Sequence, residues 1–250
     1  GFDRVAALRR VVFYDQRGSG LSQREDRRRF EQRDATDLFV DDLDALIAHF
    51  DPDGSRRVFL MGHSWGAMLA TAYINRHPQR VSGAVLAEPG GLTWPQAKQY
   101  VERANRIRLF SEALNDAIYP EHIFAGRSEH EVLDYKASFF SDYENRPGND
   151  AGNAGPYPFW RAGAAVYLGT SVSADRYGFD FTTHLDRFTT EVLFLYSELS
   201  RAYGAEWAAT VSAAYPNVRL DVVRGTGHEM LYFGWADFHP KALAYLEGLK

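Results

Sequence analysis

The feature that most limits the possible folds of this chain is a pentapeptide, Gly62-His63-Ser64-Trp65-Gly66, between two regular elements. The apolar run Val58–Met61 before it predicts a buried strand, and the small-residue segment Trp65–Arg76 after it predicts a helix. The two glycines let strand and helix approach closely, so that a serine on the tight turn projects its Oγ above the sheet. This context favours Ser64 as a nucleophile, with the Trp65 backbone N–H as an oxyanion donor, over an ordinary Gly-Ser turn.

Regular elements on either side of this turn alternate between strand and helix. Short apolar runs bounded by turn residues predict strands, and longer segments with apolar residues every three or four positions predict helices. Because strands that alternate with helices form a parallel sheet covered on both faces, we expect an α/β fold with a mostly parallel sheet. The predicted strands are Arg10–Tyr14, Val58–Met61, Val81–Ala87, Glu191–Tyr196 and Val218–Val223, and the predicted helices are Asp37–Phe50, Trp65–Arg76, Ala205–Ala214 and Trp235–Leu249.

The stretch Leu92–Asp180 interrupts this alternation. It is helical in places and rich in aromatic residues, so we interpret it as a helical cap inserted above the carboxyl ends of the strands, where open α/β sheets bind ligands. Residues 1–91 and 181–250 then form the core, and residues 92–180 the cap insertion. Its aromatic residues either line an apolar acyl pocket or simply pack the cap. They are Tyr100, Phe110, Phe139, Phe140, Tyr143, Tyr157, Phe159, Trp160 and Tyr167.

Composition excludes several classes of function. The net charge of −5 gives no electrostatic attraction to nucleic acid or to anionic lipid. The chain has no Cys, which excludes a disulfide framework, a thiolate nucleophile and a Cys-ligated metal. No apolar run approaches the roughly 20 residues of a transmembrane helix, and Gly1–Arg10 lacks the layout of a signal peptide. We therefore expect a cytoplasmic protein that acts on a small molecule or a short peptide.

A serine hydroxyl is a poor nucleophile unless an adjacent base takes its proton. In folds with this type of turn the base follows the last strand, and here Gly225-Thr226-Gly227-His228 follows the predicted strand Val218–Val223. His228 is therefore the predicted general base, in preference to an ordinary loop histidine. His63, next to the nucleophile, is expected to pack near the turn rather than to transfer protons.

The carboxylate that would orient the imidazole has two candidate positions. The usual position, after the strand that precedes the histidine strand, holds Ser200, and Glu198 lies two residues earlier. The other position is the end of the strand that follows the nucleophile's helix, where Leu86-Ala87-Glu88-Pro89-Gly90 places Glu88. We predict Glu88 as the acid and keep Glu198 as the alternative; the competing interpretation of Glu88 is a residue that anchors a loop.

A loop near the N-terminus, Tyr14-Asp15-Gln16-Arg17-Gly18-Ser19-Gly20-Leu21-Ser22, is similar to the D-Q-R-G-x-G-x-S signature of the proline iminopeptidase branch of the α/β-hydrolases. Gly62–Gly66 resembles the nucleophile turn of that branch, and Gly227-His228 resembles its histidine. The resemblance spans the core and is weak in the insertion. It implies the α/β-hydrolase fold with a helical cap and a serine peptidase or esterase without cofactor or metal; the peptidases release an N-terminal proline. The Asp15-Gln16-Arg17 loop is expected to be structural.

The sequence departs from that branch in three places. Ser200 replaces the usual Asp. Trp160-Arg161-Ala162-Gly163-Ala164-Ala165 lacks the glutamate with which peptidase members hold the substrate's α-amino group, so aminopeptidase specificity does not follow. The earlier strands and the H-G-G-P-G segment that supplies a second oxyanion N–H in the family are not found. We expect that a longer protein contains them or that another chain supplies them, and a signal peptide is then not excluded.

Two classes of function follow from these residues. The first is hydrolysis of an ester or amide through a Ser64 acyl-enzyme, by a proline-releasing peptidase or by a hydrolase of small esters or amides. The second is a non-catalytic binding protein on a hydrolase scaffold. Epoxide hydrolases and dehalogenases need a carboxylate nucleophile, so Ser64 argues against them. The oligomeric state is left open.

Overall fold

A computed structural model describes residues 3–104, 126–144, 152 and 160–249 of the 250-residue chain. In this part of the chain four strands form one parallel sheet in the order β1-β2-β3-β4. The strands are β1 (Phe59–His63), β2 (Gly83–Ala87), β3 (Val192–Ser197) and β4 (Val218–Val223). The α-helices are α1 (Asp3–Leu8), α2 (Ala35–Phe50), α3 (Trp65–Arg76), α4 (Trp94–Ala104), α5 (Glu129–Glu144), α6 (Ala164–Tyr177), α7 (Gly204–Ser212), α8 (Met230–Phe233) and α9 (Trp235–Gly248).

The two central strands, β2 and β3, are packed by helices on both faces. Side chains alternate between the faces of a strand, so the uninterrupted apolar sequence of β2 fills both layers. Leu86 and Phe194 pack in the layer that contains α2, α3 and α7, whereas Val85 and Leu193 pack in the layer that contains α9. Full burial of each such side chain stabilises the fold by about 1.5–3 kcal/mol. The predicted fold class, a mostly parallel sheet with helices on both faces, is confirmed.

The predicted buried strand at Arg10–Tyr14 is wrong. These residues form no strand, and the side chain of Phe13 is 70% exposed. An apolar run becomes a strand only where a neighbouring strand completes its backbone hydrogen bonds. Among the described residues β1 pairs with β2 alone, so the run finds no such neighbour.

The segment 92–180 leaves the core after β2 and returns before β3. Its two ends lie side by side, because Trp94 donates a backbone hydrogen bond to Phe179 and Phe181 donates one to Leu92, each 2.9 Å long. The described part of the segment contains the helices α4, α5 and α6. This connectivity suits an insertion, although the division into core and cap remains a prediction.

Several of the predicted cap aromatics lie in the part of the chain that the structure does not describe. Phe110, Tyr157 and Phe159 lie outside the described residues, as do the side chains of Phe139, Phe140 and Tyr143. Trp160 and Tyr167 are exposed at 64% and 65%, so neither is packed inside the described part of the cap.

Ion pairs attach α5 to the loop that precedes α2, and a hydrogen bond joins α5 to α6. Arg24 lies 2.8 Å from Asp134 of α5, and Arg27 lies 2.8 Å from Glu129 at the start of the same helix. The second oxygen of Asp134 accepts a 2.8 Å hydrogen bond from the backbone N–H of Ala164, the first residue of α6. One aspartate thus links the loop to two helices. No helix in the described part of the chain combines the length and apolarity that a bilayer crossing requires.

Candidate active site

The turn between β1 and α3 holds Ser64 in an unusual backbone conformation. Its φ of 53° and ψ of −122° lie in a region that costs a non-glycine residue about 1–3 kcal/mol. A Cβ atom added to Gly62 would lie 2.3 Å from the carbonyl oxygen of Gly66, so the close approach of strand and helix requires glycine there. The backbone N–H of Ser64 donates a 2.8 Å hydrogen bond to Ala87, which ties the turn to the end of β2.

His228 lies on the loop after β4, and its Nε2 is 3.1 Å from the Oγ of Ser64. The loop is shaped by Gly225, whose φ of 67° lies in the left-handed region that favours glycine. The loop is also connected to the end of β3, because Leu199, just after that strand, donates a 2.9 Å backbone hydrogen bond to Thr226. The strand ends therefore bring the histidine and the serine together over the carboxyl edge of the sheet.

Glu88 follows β2, and its Oε2 lies 2.6 Å from Nδ1 of His228. The carboxylate is fully buried, with an exposed fraction of 0%. A carboxylate only accepts hydrogen bonds, so this contact places the imidazole proton on Nδ1 and leaves Nε2 free to accept a proton from Ser64. The backbone of Glu88 is itself unusual, with a φ of 44° at the point where the chain leaves the strand.

Glu198 and Ser200 occupy other positions. The Oε2 of Glu198 accepts a 2.8 Å hydrogen bond from the backbone N–H of Gly225, so this carboxylate supports the turn of the histidine loop. The hydroxyl of Ser200 accepts a 3.3 Å hydrogen bond from the backbone N–H of Tyr203. Of the two carboxylates considered from the sequence, the structure brings Glu88 to the imidazole.

Trp65 is the first residue of α3 and directly follows Ser64. The first N–H groups of a helix have no partner within the helix and lie at the positive end of its dipole. The indole Nε1 of Trp65 donates a 2.9 Å hydrogen bond to the side chain of Gln16, which belongs to the N-terminal loop resembling the family signature. The next residue of that loop, Arg17, forms an ion pair with Asp42 of α2. The loop therefore has contacts of a structural kind.

His63 lies beside the base. Its Nε2 donates a 2.7 Å hydrogen bond to the backbone oxygen of His228, and the two ring centroids are 4.7 Å apart. Removal of the ring from water, together with the neighbouring His228, lowers the pKa of His63 to about 3. The imidazole of His63 is therefore neutral near pH 7, and it ties the histidine loop to the strand that carries the nucleophile.

Two tyrosines lie beside the histidine and its carboxylate partner. Tyr203 donates a 2.8 Å hydrogen bond from its hydroxyl to the backbone oxygen of Pro89. Burial and, after it, the charge of Glu88 raise the pKa of Tyr203 well above its ordinary value. Tyr100 of α4 lies against Tyr203, with ring centroids 5.6 Å apart, and 6.3 Å from the ring of His228. The first helix of the insertion is thus placed at the serine edge of the sheet.

One contact of the site was missed from the sequence. Ser197, the last residue of β3, donates both its backbone N–H and its hydroxyl to Oε1 of Glu88, at 2.6 and 2.5 Å. The sequence does hold a signal for this contact, because Ser197 is a serine at the end of an otherwise apolar strand, close to the usual position of the acid. Within the described ranges no three His, Asp or Glu side chains converge as metal ligands would.

A family model described as "Serine aminopeptidase, S33" matches residues 7–149 of the chain. The protein named 1-acylglycerol-3-phosphate O-acyltransferase ABHD5 from Sus scrofa is 30% identical over 127 residues, which cover 50% of this chain and 34% of that protein. A proline iminopeptidase from Lactiplantibacillus plantarum is 35% identical over 123 residues, covering 47% of this chain and 39% of that protein. The aligned part of this chain thus spans little more than a third of either relative.

The crystal structure of a proline iminopeptidase from Mycobacterium smegmatis superposes with a TM-score of 0.59. The superposition covers 94% of this chain and 80% of that protein, at 21% sequence identity. Identity at this level shows a common fold, which agrees with the arrangement of sheet and helices described above.

Proposed function

The chain belongs to the serine aminopeptidase (S33) family of α/β-hydrolases, and we propose that it cleaves an ester or amide bond through an acyl-enzyme on Ser64. The observation that carries this proposal is the unbroken line of hydrogen bonds from Ser64 through His228 to Glu88, with distances of 3.1 and 2.6 Å. In such a line Ser64 is the nucleophile, His228 takes up and returns the proton, and Glu88 orients the imidazole.

Acylation follows from the positions of these atoms. The Oγ of Ser64 attacks the substrate carbonyl carbon while its proton moves to Nε2 of His228. The carbonyl oxygen becomes an oxyanion, which the backbone N–H of Trp65 stabilises as a hydrogen-bond donor at the helix start. When the intermediate collapses, the leaving alcohol or amine takes the proton from Nε2, and the acyl group stays on Ser64.

Deacylation repeats the same steps with water. His228 removes a proton from a water molecule, whose oxygen attacks the acyl carbon. The Ser64 oxygen then leaves and recovers its proton from Nε2, which releases a carboxylic acid. Throughout both halves the Glu88 carboxylate stabilises the imidazolium and keeps the proton of the neutral ring on Nδ1.

The substrate class that we propose is a small molecule or a short peptide with an ester or amide bond. Proline iminopeptidases among the relatives make release of an N-terminal proline one candidate activity. The segment at Trp160 offers no glutamate for a substrate's α-amino group. Two carboxylates beside the histidine loop, Glu88 and Glu198, already bind His228 and Gly225. These two observations favour neutral esters and amides as substrates.

The proposal is tested by hydrolysis of a panel of p-nitrophenyl esters. Ser64→Ala should lower kcat by on the order of 10⁴ to 10⁶, as loss of a triad nucleophile does. A matched control is Ser82→Ala, since Ser82 precedes β2 at the end of the strand opposite to Glu88 and should leave turnover unchanged. Equal turnover by Ser64→Ala and the wild type would contradict the proposal. Absence of activity in the wild type towards every ester and amide would favour the non-catalytic scaffold.

A further inference from the structure

The strand β3 ends in a buried hydroxyl. Ser197 has an exposed fraction of 0%, and the five residues before it in the strand are Val192, Leu193, Phe194, Leu195 and Tyr196. Burial of a hydroxyl costs free energy unless it forms a hydrogen bond. The hydrogen bond that Ser197 forms through its hydroxyl goes to Glu88, so the residue is not explained by packing of the core alone.

The two oxygens of the Glu88 carboxylate have separate partners. Oε1 accepts from the backbone N–H and the hydroxyl of Ser197, while Oε2 accepts from Nδ1 of His228. A carboxylate held at both oxygens cannot rotate about its last bond without breaking a hydrogen bond. The plane of the carboxylate, and with it the direction of the hydrogen bond to the imidazole, is therefore set from β3.

The same strand also fixes the backbone on both sides of this contact. The backbone N–H of Glu88 donates a 3.0 Å hydrogen bond to Leu195, two residues before Ser197. Glu198, the next residue, holds the turn at Gly225 that leads to His228. The acid and the histidine loop are thus both held by hydrogen bonds to residues at the end of β3, although the acid follows β2 and the base follows β4.

We propose that Ser197 is a positioning residue that holds the Glu88 carboxylate in the orientation that His228 requires. The inference rests on the proposed function, because it assigns a part in the same triad. Two titratable side chains beside the triad have hydrogen-bond partners other than the Glu88 carboxylate. Tyr203 donates its hydroxyl to Pro89, and His63 donates its Nε2 to the backbone of His228.

The first test compares Ser197→Ala with Ser200→Ala in steady-state ester hydrolysis. Ser197→Ala keeps the backbone donor and loses the hydroxyl, so kcat should fall about tenfold, the effect expected for one hydrogen bond to a charged group, with KM unchanged. Ser200→Ala removes a buried hydroxyl three residues further on that binds the backbone of Tyr203, and it should change kcat less than twofold. Equal kcat values for Ser197→Ala and the wild type would overturn the inference.

A double-mutant cycle separates positioning from general structural support. In the Glu88→Gln background Ser197 has no carboxylate to orient, so adding Ser197→Ala should change kcat less than twofold. A residue that merely supports the fold would lower kcat by the same factor in both backgrounds, and that result would overturn the inference.

A third readout does not depend on catalysis. The proton between Nδ1 of His228 and Glu88 is observable by NMR in protein labelled with ¹⁵N-histidine, and its exchange with water reports how often the contact opens. Ser197→Ala should accelerate that exchange about tenfold, while Ser200→Ala leaves it unchanged. Faster exchange in Ser197→Ala of a protein without hydrolytic activity would refute the proposed function but support the positioning of Glu88 by Ser197. Unchanged exchange in an active enzyme would refute only the positioning by Ser197.

Discussion

Nδ1 of His228 and Oε2 of Glu88 lie 2.6 Å apart, although the histidine follows β4 and the glutamate follows β2. The strand between them is β3, and the position after β3 where a triad acid is usually expected holds Ser200. The longer side chain of a glutamate and the left-handed turn at Glu88 let the carboxylate pass over the end of β3. The carboxylate that stabilises the imidazolium thus comes from the residue after β2 instead of from the usual position after β3, and it still reaches Nδ1 of the imidazole.

The first prediction concerns the identity of the acid. Glu88→Gln keeps the shape of the side chain but favours the wrong tautomer of His228, so turnover should fall by about 10³ to 10⁴. Glu198→Gln removes a carboxylate that supports the turn at Gly225 and should cost far less. Steady-state kcat for the two variants, measured on one aryl ester, gives the comparison. If Glu198→Gln has the much lower kcat and Glu88→Gln does not, the acid has been assigned to the wrong strand.

The second prediction concerns the nucleophile and the base as a unit. His228→Ala should lower turnover by on the order of 10⁴ to 10⁶, as Ser64→Ala does, because an unactivated serine hydroxyl is a poor nucleophile. The double variant should lose little more than either single variant, since each already disables the same step. Additive losses in the double variant would show that the two residues act independently. Circular dichroism of each variant provides the control for folding.

The third prediction concerns stability in acid. The pKa of His63 is about 3 in the folded protein, below the ordinary value near 6.5 that it regains on unfolding, so the unfolded chain binds the extra proton. The contribution of His63 to the free energy of unfolding is therefore fully present above about pH 6.5 and declines as the pH falls towards 3. Between pH 8 and pH 5 the free energy of unfolding should fall by about 1–2 kcal/mol more in the wild type than in His63→Gln.

Urea unfolding at the two pH values measures this difference. His184→Gln is the matched control, because the side chain of His184 is exposed and its replacement should keep the pH dependence of the wild type. The same pH dependence in His63→Gln and in the wild type would mean that His63 is protonated in the folded protein at pH 5.

The fourth prediction concerns the substrate. Because the Trp160 segment has no glutamate to hold an α-amino group, proline anilides should be cleaved with a much lower kcat/KM than simple aryl esters. The comparison uses one preparation of the enzyme and one chromogenic leaving group for each class of bond. Efficient release of N-terminal proline would restore the aminopeptidase interpretation.

Much of the core was predictable because its elements are specified locally. The helix at Trp65–Arg76 and the strand at Val218–Val223 have the predicted boundaries. The turn before the serine leaves few alternatives, because a Cβ atom on Gly62 would collide with the backbone of Gly66, whereas a Cβ atom on Gly66 would meet no other atom. The histidine loop was predictable for the same reason, since its place after the last strand is fixed by the order of the chain.

Other features depended on contacts between distant residues. The run Arg10–Tyr14 has the apolar composition of a strand, but composition does not say whether a neighbouring strand exists to pair with it. The double hydrogen bond from Ser197 to Glu88 joins residues 109 positions apart, so neither residue alone signals it in the sequence.

The most direct test of the account is covalent labelling by a fluorophosphonate, followed by mass spectrometry of tryptic peptides. The account predicts one adduct per chain, on the peptide of residues 58–76 that contains Ser64, because Arg57 and Arg76 bound that peptide. Labelling should be absent in Ser64→Ala and strongly slowed in His228→Ala, since the phosphonate reacts with the activated serine. An adduct on any other peptide, or labelling of Ser64→Ala as complete as that of the wild type, would contradict the assignment of Ser64 as the nucleophile.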